Sequence, residues 1–327
     1  MSTITRRRPS HEELATRLHR ASVAKHADAY ADVAWDAPEH RIEIEDPRFA
    51  LQPLEGLGRT AWYRALPEAQ RARIGLHLSL AQLRVGMDFE SILCRGLLEL
   101  AFESQPGSAD LRYAYQEVIE EAQHSLMFQE FIARAGLPVR GLVGIERRVS
   151  FRIPKLARTF PELFFLHVLG GEAPIDHVQR RELARTDETH PLLRTIMRIH
   201  VTEEARHISF ARSYLREHVP QLGWWKRTRL SVHAPFVLAA MVQEMIVPPR
   251  WLLDLYGVPA QTRREIRDCP HARQGIVDGL GPIRSILSES GIVTPRNLAL
   301  WRAMGLAPSE AARPALASYA RADGLER

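Results

Sequence analysis

The sequence predicts an all-α protein: a four-helix bundle with extra N- and C-terminal helices. Three observations carry that prediction. Nearly every long segment repeats its apolar residues with the period of a helix, and no alternating strand series interrupts them. Capping residues and Gly or Pro breakers fall between these segments. Four of the segments run to about 25 residues, enough for a bundle about 35–40 Å long. At 327 residues and 45% hydrophobic content the chain can bury a large core. No internal repeat or low-complexity linker divides it. The reading is therefore one domain over 1–327, with the bundle at about 75–220 and a flexible arm over 1–10.

Each element follows from local chemistry. Ser10 and Glu13 form a capping-box pattern that opens a helix expected to reach Trp35. Residues 36–58, rich in Pro and charge, read as an irregular wrap. Pro67 begins the first bundle helix, which continues to Glu103 and breaks at QPGS. The second spans Ala109 to Ala135 and is stopped by Gly136 and Pro138. Residues 137–159 read as a connection in which RVSFRI is the only strand-like piece. The third covers about 160–185; Pro174 inside it removes a backbone donor and predicts a kink or bulge. The fourth covers about 189–217 and stops near Pro220. A long apolar helix, the PPRWLLDLYG segment and shorter helices follow.

Composition narrows the function classes. The net charge of +5 is carried by arginine, since Lys25, Lys155 and Lys226 are the only lysines. The one basic cluster, Arg6 to Arg8, lies in the terminal arm, and no organised arginine face supports a nucleic-acid partner. Cys94 and Cys269 give neither a disulfide framework nor a thiolate metal set. The N-terminal stretch is polar, and the longest apolar run, 234–249, is interrupted by Gln243 and Glu244 and reads as too short to span a bilayer. A cytoplasmic protein with no membrane partner is the expectation.

The chemistry sits in RIHVTEEARHISFAR, residues 198–212. Positions i, i+4 and i+7 share one helical stripe, so His200, Glu204 and His207 point inward beside Val201, Ile208 and Ala211. Glu203, Arg206 and Arg212 lie off that stripe and read as solvated. The second bundle helix carries the same Glu-x-x-His word as Glu121 and His124, where Glu117 and Glu120 are rival carboxylates. Two such helices can hold two metal ions between them if the other two each supply an inward carboxylate. Glu90 lies on the stripe Leu83, Met87, Cys94, Leu97, and Glu172 on a stripe with Phe165 and Leu169. An unpaired glutamate there costs several kcal/mol, and a cation removes that cost. The four carboxylates neutralise two divalent ions, and oxygen with imidazole donors suits iron, with manganese as a substitute. His167 and His177 lie off the Glu172 stripe and read as packing or surface residues. His200, by spacing alone, is either a third imidazole or a core histidine. Trp224, Trp225, Arg227, Arg229 and Trp251 can line an aromatic, anion-friendly pocket, but at such spacing they read as packing and surface.

The series Glu90, Glu121-x-x-His124, Glu172, His200-x-x-x-Glu204-x-x-His207 resembles the p-aminobenzoate N-oxygenase family of di-iron proteins, which includes the arylamine oxygenase of the chloramphenicol pathway. The resemblance covers about residues 75–220. It implies a ferritin-like bundle, a homodimer, and seven protein ligands to two irons, His200 among them. It also implies an O₂-dependent monooxygenase of secondary metabolism that takes electrons from an external donor. Its reaction would carry an amine nitrogen, most simply an arylamine's, toward hydroxylamine, nitroso or nitro products, the cluster itself being catalytic. The same cluster can instead support C–H hydroxylation or desaturation, or non-catalytic iron binding and ferroxidase activity.

Overall fold

The structure, a computed structural model, describes residues 8–52, 56–184 and 189–308. Residues 1–7, most of the expected arm, lie outside the described residues. The fold is all-α and ferritin-like, and no strand occurs among the described residues.

Ser10 caps α1 (His11–Ala24): its hydroxyl accepts from the Glu13 amide while the Glu13 carboxylate accepts from the Ser10 amide. The helix ends eleven residues before the expected Trp35 for a tertiary reason. The Ala27 amide donates to Glu203 Oε1 and the Ala29 amide to Gln123 Oε1, each at 2.8 Å. Side chains of the bundle thus take the donors that further helical turns would use. Among the described residues, the following wrap contains only a short helix, α2 (Ala61–Arg64), and two single 3₁₀ turns at Pro38–His40 and Pro47–Phe49.

The bundle comprises α3 (Glu68–Glu103) and α4 (Ala109–Ala135) as one packed pair. Ser108 caps α4, and Gly136 closes it at φ 67° with its amide on Ile132 O. The connection after α4 is not strand-like: RVSFRI is divided between α5 (Gly144–Ser150) and α6 (Ile153–Thr159), which seats on α3. Ile153, Pro154 and Ala157 recur at helical spacing and bury on that side.

The second pair is α7 (Pro161–Leu183) and α8 (Pro191–His218). Helix α7 continues through Pro174, where the sequence predicts a kink or bulge. Beside it the helices pack closely: a Cβ on Gly171 would run into the Phe89 ring of α3. Contacts of α4 with α8 and of α3 with α7 close the bundle.

Beyond it, α9 (Trp224–Met245) packs along α7 with Leu230, Ala234, Leu238 and Val242 buried. Then come α10 (Arg250–Leu255), α11 (Ala260–Asp268), α12 (Pro270–Gly279), α13 (Gly281–Glu289) and α14 (Leu298–Ala303). The apolar run is longer than the sequence reading allows. The stretch Trp224–Leu255 is by length and composition apolar enough to cross a membrane, with a third of its most apolar window buried.

Candidate metal centre

All seven side chains singled out by spacing converge at the middle of the bundle, each less than 4% exposed. Glu90 comes from α3, Glu121 and His124 from α4, Glu172 from α7, and His200, Glu204 and His207 from α8. Donor atoms of Glu90, His124 and His200 lie within 4.8 Å of one another. The same holds for Glu172, His200 and Glu204, for Glu121, His124 and Glu204, and for Glu117, Glu121 and His207.

Glu121 stands between two imidazoles. Its Oε2 is 3.0 Å from His124 Nδ1 and its Oε1 is 2.8 Å from His207 Nδ1. Glu204 Oε1 approaches the same two nitrogens at 3.6 and 3.1 Å and His200 Nε2 at 3.8 Å. The outer nitrogens are held as well: His124 Nε2 donates to Glu203 Oε2 at 2.8 Å and His207 Nε2 to Glu120 Oε2 at 2.7 Å. Both rings therefore present Nδ1 to the centre, oriented by a carboxylate behind them. Arg206 ties the two outer carboxylates together, at 2.8 Å from Glu120 and 3.4 Å from Glu203.

His200 is oriented the other way round. Its Nδ1 donates to Gln179 Oε1 at 2.9 Å, and its Nε2 faces Glu90 at 3.7 Å. Burial, with the neighbouring His124, holds His200 down to about 4 against the opposing pull of Glu204. The ring is thus neutral at pH 7 and turns a lone pair to the centre.

The electrostatics without an ion are those of a frustrated anionic pocket. Burial pushes Glu90 well above the usual carboxylate range, and the charges of Glu121 and Glu172 add to it. Burial and the charges of Glu204 and Glu121 do the same to Glu172. For Glu121 burial is overcome by His207 and His124, which hold it well below that range. Burial opposes protonation of His124, yet its bonds to Glu121 and Glu203 raise it to about 10; Glu204 and Glu121 likewise raise His207. Glu90 Oε2, Glu172 Oε1 and Glu204 Oε2 are buried with no hydrogen-bond partner. Unsatisfied carboxylate oxygens beside imidazole nitrogens are the donor set that a pair of divalent cations satisfies, so the residues present fit a two-metal site.

Several features differ from the sequence reading. Glu203 is buried, not solvated, because the segment after α1 covers that side of α8 through Ala27. The Arg206 side chain is only 13% exposed and Arg212 is half-buried. Glu117, one turn before Glu121, is also buried, and both its oxygens lack a hydrogen-bond partner. Desolvation carries Glu117 up to about 8. The signal for Glu120 and Glu203 was present in the sequence: Glu-Glu-x-x-His occurs twice, at 120–124 and 203–207. Cys94 packs beside the site, its Sγ 3.9 Å from Val118 O, and desolvation raises its thiol to about 12. His167 bonds Leu163 O within its own helix, and neither it nor His177 joins a donor group.

A cavity of about 120 Å³ reaches Glu90, Glu172 and His200, and Phe49, Phe128, Gln82 and Gln179 contribute to its wall. The aromatic candidates are elsewhere. Trp224 and Trp225 are 66% and 73% exposed and pack on each other, Trp251 lies against His77, and Arg229 sits over Phe160.

Comparison with known proteins agrees with this geometry. The p-aminobenzoate N-oxygenase AurF family matches residues 8–291. An uncharacterised protein of Mycobacterium bovis is 36% identical over 292 residues, covering 89% of this chain and 86% of the relative. Two uncharacterised proteins of Mycobacterium tuberculosis show the same identity and coverage. The match takes in all four metal-facing helices and the helices that flank them, and the chain accordingly belongs to the p-aminobenzoate N-oxygenase family.

Proposed function

We propose that this protein is an O₂-dependent di-iron N-oxygenase that oxidises the nitrogen of a small-molecule amine, most simply an arylamine. The ligands in this reading are Glu90, Glu121, His124, Glu172, His200, Glu204 and His207. The observation that carries it is the third imidazole: His200 is neutral, aimed at the carboxylates by Gln179, and completes the set that the family resemblance implies. Two redox-active ions held by these residues would supply the paired electrons that O₂ activation needs.

The chain's own residues supply the rest. Glu203 and Glu120 fix the orientation of His124 and His207, and Arg206 fixes the carboxylates. Phe49 and Phe128 keep one side of the access cavity apolar, which limits water near the oxidant. Gln82, Ser79 and Gln179 offer neutral hydrogen-bonding groups on the path to Glu90, suited to an uncharged amine. Each two-electron oxidation to an N–OH product consumes one O₂ with two electrons and two protons from an external donor and releases water. The reading treats 1–327 as one domain of a cytoplasmic homodimer, with manganese as the substitute ion.

Elemental analysis of wild type and His207→Ala is the first test. We expect about two iron ions per chain in the wild type and a sharp fall in the variant. Aerobic turnover of an amine panel with a chemical reductant should then give N-oxygenated products by mass spectrometry. A wild type that stays metal-free after anaerobic Fe(II) addition, or that oxidises only C–H bonds, would refute the reading.

A further inference from the structure

We propose that a second chamber beside the metal-centre cavity holds the apolar chain of an anionic amphiphile whose other end reaches the metals. This chamber measures about 180 Å³. Its wall is built largely by segments outside the bundle: residues 246–248 after α9, the end of α11, and α12. Gln82, Val178 and Glu182 line both this chamber and the cavity that reaches Glu90, so the two spaces share a wall. Leu78, Val178, Ile246, Ile266 and Ile276 make it apolar.

The lining also defines the charge of what it takes. Arg181, Arg267 and Arg273 all face the chamber. Arg267 and Arg273 share Asp268, but Arg181 has neither an ion pair nor a hydrogen bond among the described residues. The one carboxylate on the shared wall, Glu182, already accepts from the Thr189 hydroxyl at 2.8 Å. The balance favours an anion beside Arg181 and a chain of methylenes or fused rings along the apolar residues. A single-ring amine would occupy the inner cavity and leave this apolar wall unused. Each methylene added into it should tighten binding about fourfold until the chamber is full. Only the amine end of the ligand rests on the N-oxygenase reading; the chamber itself does not.

Binding under argon to the metal-loaded protein tests this without turnover. The probes are 4-aminobenzoate, 6-aminohexanoate, 12-aminododecanoate, dodecanoate and dodecylamine, measured by calorimetry and competition. We expect 12-aminododecanoate to bind at least tenfold more tightly than 6-aminohexanoate, and dodecanoate to compete with it. Arg181→Gln should weaken dodecanoate about tenfold relative to dodecylamine. Ala272→Phe, which fills the chamber from α12, should reduce the long-to-short affinity ratio to near one, and metal content checks that both variants are folded. Affinity independent of chain length, or ratios unmoved by both variants, overturns the proposal. If no amine is oxidised yet dodecanoate binds with these dependences, the chamber stands and the N-oxygenase reading falls. If amines are oxidised with no length dependence, the reverse holds.

Discussion

His200 depends on one neighbour for its usefulness. Gln179 Oε1 accepts the Nδ1 proton, which selects the tautomer whose bare Nε2 faces Glu90 and Glu204. Gln179→Leu removes that acceptor at similar size and frees the ring to rotate or change tautomer. We expect affinity for one of the two metal equivalents to fall about 10–100-fold. Anaerobic Fe(II) titration will show it as a second, weaker step, and an unchanged isotherm would mean that His200 needs no such support. Six of the seven candidate donors were legible from spacing because each lies on an apolar stripe, where a charge demands a reason; His200 entered the set through the family resemblance. Glu203 was not, because its burial comes from Ala27, some 176 positions away in the chain.

Helices fit together here through local chemistry that is mostly readable and a few contacts that are not. The ends of α4 follow from Ser108 and Gly136, and the break before it from QPGS. The end of α1 escapes local reasoning because its next backbone donors are taken by Glu203 and Gln123. Helices α5 and α6 were missed because short amphipathic turns lack the length that makes periodicity distinctive. At Gly171 the reason for a glycine is the partner helix: the Phe89 ring occupies the space a side chain would fill. Gly171→Ala should therefore separate α7 from α3 beside Glu172 and lower stability by about 1–3 kcal/mol. Chemical denaturation measures the loss directly. A Phe89→Leu companion should recover part of it, and failure to do so would place the strain elsewhere.

The whole molecule carries its metal dependence as a pH dependence. Without ions, burial and neighbouring carboxylates raise Glu90 and Glu172, and their carboxylate partners raise His124 and His207, so each holds its proton more firmly than in the unfolded chain. Glu117, raised to about 8, has the same sign. A group with a raised folded value stabilises the fold below its unfolded value, and that contribution is lost as pH climbs through the folded one. The metal-free protein should therefore melt at progressively lower temperature from pH 6.5 to 9. The metal-loaded protein should change little, because its ligands have already given up their protons. Loading at pH 7 should release protons, measurable by calorimetry in buffers of different ionisation enthalpy. A metal-free melting temperature that rises over that window would contradict the burial-driven shifts.

The doubled Glu-Glu-x-x-His word gives α4 and α8 matching halves of one centre, and His200 belongs to only one half. The His200 ring joins Glu90 and His124 in one donor group and Glu172 and Glu204 in another. Three imidazoles cannot divide equally between two ions, so two ions bound there would not be equivalent. Under scarcity the imidazole-rich position would fill first, and a half-loaded chain would be a single defined species rather than a mixture of two. An electron taken from a filled pair would then come preferentially from one of the two ions.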